Sequence, residues 1–160
     1  MPDSAKIVSA SELARVRDEF AARGEKLVLT NGCFDLLHVG HVRYLQAARK
    51  LGQALAVVIN SDEGVRALKG PTRPVNTEND RAEVLAALEC VDFVTIFPGM
   101  RVTEVLREVR PQLYAKGGDY TPETLDRDEK AALDQAGSEI HILPLVPGKS
   151  TTKILESCKN

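Results

Sequence analysis

No stretch of this chain approaches the ~20 consecutive apolar residues that a bilayer-spanning helix needs, so a membrane protein is not expected. Cysteine is scarce. Cys33, Cys90 and Cys158 are too few and too scattered for a disulfide framework or a cysteine-rich zinc site. No charge of one sign dominates: the formal net charge is -2 and the pI about 5.9, with no basic stripe, so a nucleic-acid partner is not expected. Repeats, low-complexity runs and linkers are also missing. The 160 residues are therefore read as one domain, 1–160, long enough to bury its own core. The segment from Met1 to Lys6 leads into a charged helix and not an apolar signal segment, so a cytoplasmic protein is expected. Apolar residues at 43% and charged residues at 28% fit that reading.

What is present is an alternation of short apolar runs and amphipathic runs. Residues 9–23 predict a helix with Ser9 or Ser11 as cap and Gly24 as stop, Leu13, Val16, Arg17 and Phe20 sharing a face. The core, 26–158, follows. Strands are predicted at 26–30, 54–60, 91–97, 112–115 and 139–144. Helices are predicted at 39–51, 77–89, around Val102 to Val109, at 126–136 and at 150–158, with a single helical turn around Val65 and Leu68. The run Ala54 to Asn60 is apolar throughout, as in a strand covered on both faces. The class predicted is α/β: a Rossmann-like, doubly wound, five-stranded parallel sheet.

The most informative stretch is Gly32-Cys33-Phe34-Asp35-Leu36-Leu37-His38-Val39-Gly40-His41, where the first strand turns into a helix. Such a turn presents free backbone N–H groups and the positive end of a helix dipole, a seat for phosphate. Two imidazoles added there can donate to phosphoryl oxygens. Three further unusual stretches each follow a strand: Leu68 to Pro74, Lys116 to Tyr120, and Pro147 to Thr152. In an open parallel sheet all four lie beyond the carboxyl edge, where ligands bind.

Helical spacing adds detail. His41 shares a face with Tyr44, Leu45 and Ala48, so it points toward the sheet. Arg81 shares a face with Val84, Leu85 and Leu88, so its buried charge needs an anionic partner: a phosphate, Asp35 or Asp119. Pro147-Gly148-Lys149-Ser150 is not a phosphate-binding loop of the Walker type, because Leu143 stands where that motif needs glycine. What remains is a Ser-Thr-Thr helix start open to an anion. Cys33 is either a reactive thiol or a small buried residue. Asp35, His38 and His41 have no suitably spaced cysteine partner, so no protein-held metal is expected. Magnesium is expected to arrive on nucleotide phosphates.

The stretch GCFDLLHVGH resembles the GxFDxxHxGH signature of the HxGH nucleotidyltransferases, the cytidylyltransferase-like group. The resemblance runs from Leu27 to about Leu155. NSDEGVRALKGPTRPVNTENDRAEVLAALECVD, KGGDY and PLVPGKSTTKI are similar to the branch that makes ADP-heptose. That branch joins the AMP part of ATP to D-glycero-β-D-manno-heptose 1-phosphate and releases pyrophosphate, for envelope lipopolysaccharide. The resemblance implies that His38 and His41 stabilise the α-phosphate under attack. It implies that Lys69 contacts phosphate or the phosphorylated substrate, and that Arg81 lies near the catalytic centre. It further implies that Cys33, Phe34 and Gly40 belong to the phosphate-binding turn, which Asp35 orients. Gly117 and Asp119 would lie by the nucleoside, and Ser150, Thr151 and Thr152 would hold the β- and γ-phosphates. A magnesium ion with ATP, a homodimer and a separate upstream sugar kinase are also implied, the domain standing alone here.

Two departures separate this chain from the glycerol-phosphate cytidylyltransferases. Leu145 stands near the place of an arginine before the serine-threonine run, and there is no tryptophan after the second strand. Arg73 or Lys149 is then left to serve the phosphate tail. The alternatives to adenylyl transfer are cytidylyl transfer to another phosphorylated polyol and a non-catalytic nucleotide-binding module.

Overall fold

A computed structural model describes residues 4–118 and 120–159. The apolar runs form β1 (Leu27–Gly32), β2 (Ala54–Asn60), β3 (Phe93–Phe97), β4 (Leu113–Gly117) and β5 (Glu139–Leu143). They build one five-stranded sheet in the order β3-β2-β1-β4-β5, every neighbouring pair parallel. The doubly wound class read from the sequence is the one found. Strand order reverses between β1 and β4, which makes their carboxyl ends the place for a ligand.

Two strands run further than apolarity alone predicts. β1 continues past Thr30 because Asn31 and Gly32 stay paired with Val58 and Ile59. β4 continues past Ala115 because Lys116 and Gly117 stay paired with Ile142 and Leu143. Polar residues thereby ride on a ladder whose partner strand is apolar, and they carry functional groups to the sheet edge. β3 starts later than predicted, at Phe93. The Asp92 carboxylate accepts from the Leu55 amide at 2.8 Å and closes the ladder there.

The helices are α1 (Ala10–Ala22), α2 (Val39–Arg49), α3 (Asp62–Lys69), α4 (Glu78–Ala86), α5 (Thr103–Val109), α6 (Arg127–Ala136) and α7 (Thr151–Ser157). Short 3-10 turns occur at Ser4–Lys6 and Pro122–Thr124. Ser9, not Ser11, caps α1, in a reciprocal pair with Glu12. The turn predicted around Val65 is in fact the eight-residue α3. Ser61 caps it, accepting from the Gly64 amide at 3.2 Å, and Asp62 and Glu63 complement the dipole in its first turn. Leu68 is 45% exposed, and the helix is buried through Gly64 and Val65.

The side-chain alternation along the strands sorts the core into two layers. Leu27, Leu29, Ala56 and Val58 pack with α1, α5 and α6 through Leu13, Leu106 and Leu133. Val28, Leu55, Val57 and Ile59 pack with α2 and α4 through Leu45, Ala82 and Leu85. All seven residues of β2 are buried, as its apolar run requires. No helix among the described residues is long and apolar enough to cross a membrane.

α3 must lie close to the loop after β3 to carry Lys69 to the sheet edge. A Cβ on Gly64 would come within 2.2 Å of the Gly99 carbonyl oxygen, a backbone atom that cannot swing aside. Gly64→Ala is therefore expected to cost about 1–3 kcal/mol in urea denaturation, although alanine favours the helix.

Candidate active site

The carboxyl ends of β1 and β4 open into a cavity of about 340 Å³. Its floor is Asn31, Gly32, Cys33 and Phe34 from β1 and the turn after it, with Lys116 and Gly117 from β4. One wall is the start of α2, with His38, Gly40, His41 and Tyr44. Lys69 enters from the end of α3, and residues 145, 146 and 149–152 enter from the connection into α7. All four unusual stretches of the sequence thus reach one end of the sheet.

His38 is the N-cap of α2. Its Nδ1 accepts from the Gly40 amide at 3.1 Å, so a neutral ring carries its proton on Nε2. The ring folds back over Gly40, where a Cβ would lie 2.8 Å from its Cε1 atom. The glycine between the histidines is what lets the first imidazole cap the helix. One turn inward the His41 ring stacks on it, with centroids 3.9 Å apart and planes 24° apart. Phe34 closes the far side of His41, tilted, at 5.2 Å between centroids. Burial, then the neighbouring His38 and Lys69, push His41 down to about 4, against a weaker opposing pull from the Leu36 carbonyl. Burial and Lys149 lower His38 as well. Both rings are therefore neutral at pH 7 in the free protein.

The floor is held by two arginines, Arg73 partly buried and Arg81 fully buried. Asp35, 4% exposed, accepts from the Arg73 Nε and from the Val75 and Asn76 amides, each at 2.9 Å. Asn76 Nδ2 donates back to the Asp35 carbonyl at 2.9 Å. Burial alone would raise the Asp35 pKa, but the Asn76 and Val75 amides and Arg73 reverse this and hold it below the ordinary carboxylate value. Arg81, 1% exposed, donates to the carbonyls of Asn76, Cys33 and Asn60 at 3.1, 2.8 and 2.9 Å, and to the Asp62 carboxylate at 2.9 Å.

These contacts correct two expectations. Arg81 does not line the cavity. Its anionic partner among the described residues is Asp62, not Asp35, and its face of α4 is shared with Ala82, Leu85 and Ala86, while Val84 is 51% exposed. It is a positioning residue behind the turn. Arg73 is likewise drawn away from the cavity by Asp35. Sequence could not choose among candidate acids for Arg81, because Asp62 lies on another helix. Asp119 lies outside the described residues.

The other described candidates are brought together. Cys33, Phe34, Asp35, His38, Gly40, His41, Lys69, Gly117, Ser150, Thr151 and Thr152 all line the one cavity. Phe34 takes a left-handed φ of +46° so that its ring can lie over Gly32, where a Cβ would be 2.9 Å away. Burial raises the Cys33 thiol pKa, outweighing Lys69, Arg81 and Arg73. Its sulfur lies 3.7 Å from Asn60 Oδ1. This makes a small polar filler and a poor nucleophile. Ser150 Oγ accepts from the Lys153 amide at 3.1 Å and caps α7, while Thr151 donates to the Leu36 carbonyl at 3.2 Å. Thr152 stays exposed.

Sequence reasoning gave several lining groups no role of their own, although Lys116 opened one of the four stretches. Asn31 and Lys116 ride on strand ends that apolarity did not predict. Tyr44, whose hydroxyl shares a 2.7 Å bond with Thr30, forms the wall against Gly117. Leu145 and Val146 are apolar loop residues without a pattern.

Lys69, Lys116 and Lys149 face this space, and the single carboxylate among its described lining residues is already neutralised by Arg73. That balance favours a polyanion. Among the described residues no group of three or more His, Cys, Asp or Glu is placed to hold a metal ion.

A parallel sheet with a cationic, imidazole-lined cleft at its switch point defines a phosphate-handling α/β protein. The cytidylyltransferase-like family model matches residues 29–156, and the chain belongs to that family. It is thereby a nucleotidyltransferase enzyme. It is 48% identical over 99% of its length to the bifunctional protein HldE of Geotalea uraniireducens (strain Rf4), and 44% identical over 96% to that of Campylobacter fetus subsp. fetus (strain 82-40). The chain spans about a third of these relatives, 32% and 31% of their lengths. Among solved structures it is similar to a lipopolysaccharide core biosynthesis protein from Thermoplasma volcanium GSS1, with TM-score 0.63, 29% identity, and 77% of this chain and 98% of that one covered. The pantoate-beta-alanine ligase of Francisella tularensis shares the fold, with TM-score 0.57 at 15% identity over 96% of this chain and 76% of that one.

Two expected outcomes follow. Gly40→Ala drives the His38 ring off its cap and costs about 1 kcal/mol of thermal stability, with activity lost alongside. Acid stability carries the second. Below pH 6.5 the unfolded chain protonates its histidine, while the folded His41 resists until about 4. Stability contributed by this group therefore falls as pH drops through that window. In urea titrations, His41→Asn should flatten the fall between those values.

Proposed function

We propose that this enzyme transfers the AMP moiety of ATP to D-glycero-β-D-manno-heptose 1-phosphate, forming ADP-heptose and releasing pyrophosphate, in envelope lipopolysaccharide synthesis. The observation that carries the transfer chemistry is the pair of stacked imidazoles at the helix start, ringed by three lysines. The choice of heptose rests on the similarity to HldE over nearly the whole chain and on the residues of the ADP-heptose branch. It also fits the lipopolysaccharide core biosynthesis for which the Thermoplasma volcanium protein is named.

The sugar phosphate is already a nucleophile at neutral pH. One of its oxygens attacks the α-phosphorus of ATP. The α–β bridging P–O bond breaks and pyrophosphate leaves; a magnesium ion carried on the phosphates of ATP would offset part of its charge. The protein's work is to bring two polyanions in line and to hold the charge that develops. His38 Nε2–H and the His41 ring serve the α-phosphate. Lys149, Thr152 and the amides at the start of α7 serve the outgoing pyrophosphate. Lys69 grips the sugar phosphate, and Lys116 neutralises charge between the two. Gly117 and Leu145 from the cavity lining, and Asp119 by the resemblance, are assigned to the nucleoside. We further propose a cytoplasmic homodimer whose sugar phosphate comes from a separate kinase activity.

A coupled pyrophosphate-release assay with heptose 1-phosphate tests the reading, ATP and CTP being compared. ATP should be the productive donor; release with CTP alone sinks the adenylyl assignment. His41→Ala should lower kcat by about 10²–10³ with the fold retained, and Lys69→Ala should raise KM for the sugar phosphate. Wild-type turnover in folded His41→Ala would remove the imidazole pair from the chemistry.

A further inference from the structure

The imidazole pair presents a problem of proton placement that the transfer reading leaves open. The groups facing the pair are Lys69 from the end of α3, Lys116 from β4 and Lys149 from the connection into α7, with the Cys33 thiol, the Asp35 carboxylate and the Tyr44 phenol. The thiol is held neutral by burial, the phenol is pushed up to about 12 by burial, and the carboxylate is spent on Arg73 and two amides. Nothing anionic in the described lining is free to welcome a charged ring. The rings themselves are 3.9 Å apart. At that separation two positive charges repel by about 4 kcal/mol at an effective dielectric of 20. The pair therefore accepts at most one proton beyond its neutral state.

Geometry decides which ring accepts it. The Nδ1 of His38 is occupied as acceptor of the Gly40 amide, so a second proton there would set two donors against each other and undo the cap. The Nδ1 of His41 is buried without a hydrogen-bond partner, and the Leu36 carbonyl acts on that ring in the sense that favours its charged form. What opposes the charged form is desolvation, joined by His38 and Lys69. A polyphosphate in the cavity supplies the missing negative charge.

We infer that binding of a nucleoside triphosphate drives uptake of one proton from solvent onto His41 Nδ1, while His38 stays neutral with its proton on Nε2. This rests on the transfer reading above. The ligand then meets one imidazolium and one neutral N–H donor. The cationic element forms only in the occupied cavity, so the empty one is spared a buried, unmatched charge. The linkage also has a sign. His41's contribution tightens binding as pH falls, by up to tenfold in Kd per pH unit between the free and bound titrations of that ring.

The chain has three histidines, and His141 on β5 lies outside the cavity. Two-bond ¹H–¹⁵N spectra of the full chain are therefore assignable with His38→Asn, His41→Asn and His141→Gln variants. Spectra are recorded at pH 6 with and without saturating magnesium–ATP, no sugar phosphate being present. The expected result is that the two ring nitrogens of His41 converge to the imidazolium pattern on binding, while His38 keeps one protonated and one bare nitrogen. A neutral His41 in the saturated complex, or a proton on His38 in its place, overturns the inference and leaves the transfer reading standing. Ring signals of His38 and His41 that ignore millimolar magnesium–ATP overturn both.

Discussion

The Asp35 carboxylate is the fixture on which the rest of the site depends. It sits at the bottom of the turn from β1 to α2 and binds the segment 73–76 through one guanidinium and two amides. That segment leads through the cap Thr77 into α4, from which Arg81 reaches back to the Cys33 and Asn60 carbonyls and to Asp62. The circuit joins the ends of β1 and β2 with the starts of α2, α3 and α4 through ionic and charge-assisted bonds shielded from water. Breaking one partner of a buried pair costs about 3–5 kcal/mol, since the other charge is left stranded. The turn is thus rigid before any ligand arrives, as charge stabilisation without reorganisation requires.

This arrangement explains how much of the molecule was legible in the sequence. Apolar runs between turn signals gave the sheet, and β2 is buried from end to end as its composition demands. Strand ends were less legible, because Asn31, Gly32, Lys116 and Gly117 are held by ladder bonds to their neighbours and not by their own apolarity. Helix α3 was underread because its stability comes from the Ser61 cap and two acids, a signal outside hydrophobic periodicity. Spacing showed that Arg81 is inward and needs an anion. Which anion is a fact of the tertiary fold.

The cavity also separates position from charge. Its imidazoles are desolvated and neutral, while its lysines sit on separate elements and meet at one opening. Lysines so placed draw polyanions in over a distance of about a Debye length. The rings act only at contact. The tether from Thr151 to the Leu36 carbonyl brings α7 against the same turn, so the far wall of the cleft is fixed to its floor.

Phe34 shows what such a floor implies for adaptation. Its left-handed backbone would be easier for glycine, by about 1–3 kcal/mol. Yet the ring is 7% exposed, and truncating a buried phenylalanine costs about 3–5 kcal/mol. The second quantity wins. Selection for a sturdier fold and selection for a ring beside His41 therefore pull the same way, and a search for thermostable variants would leave this residue alone without being told that it lines the cleft.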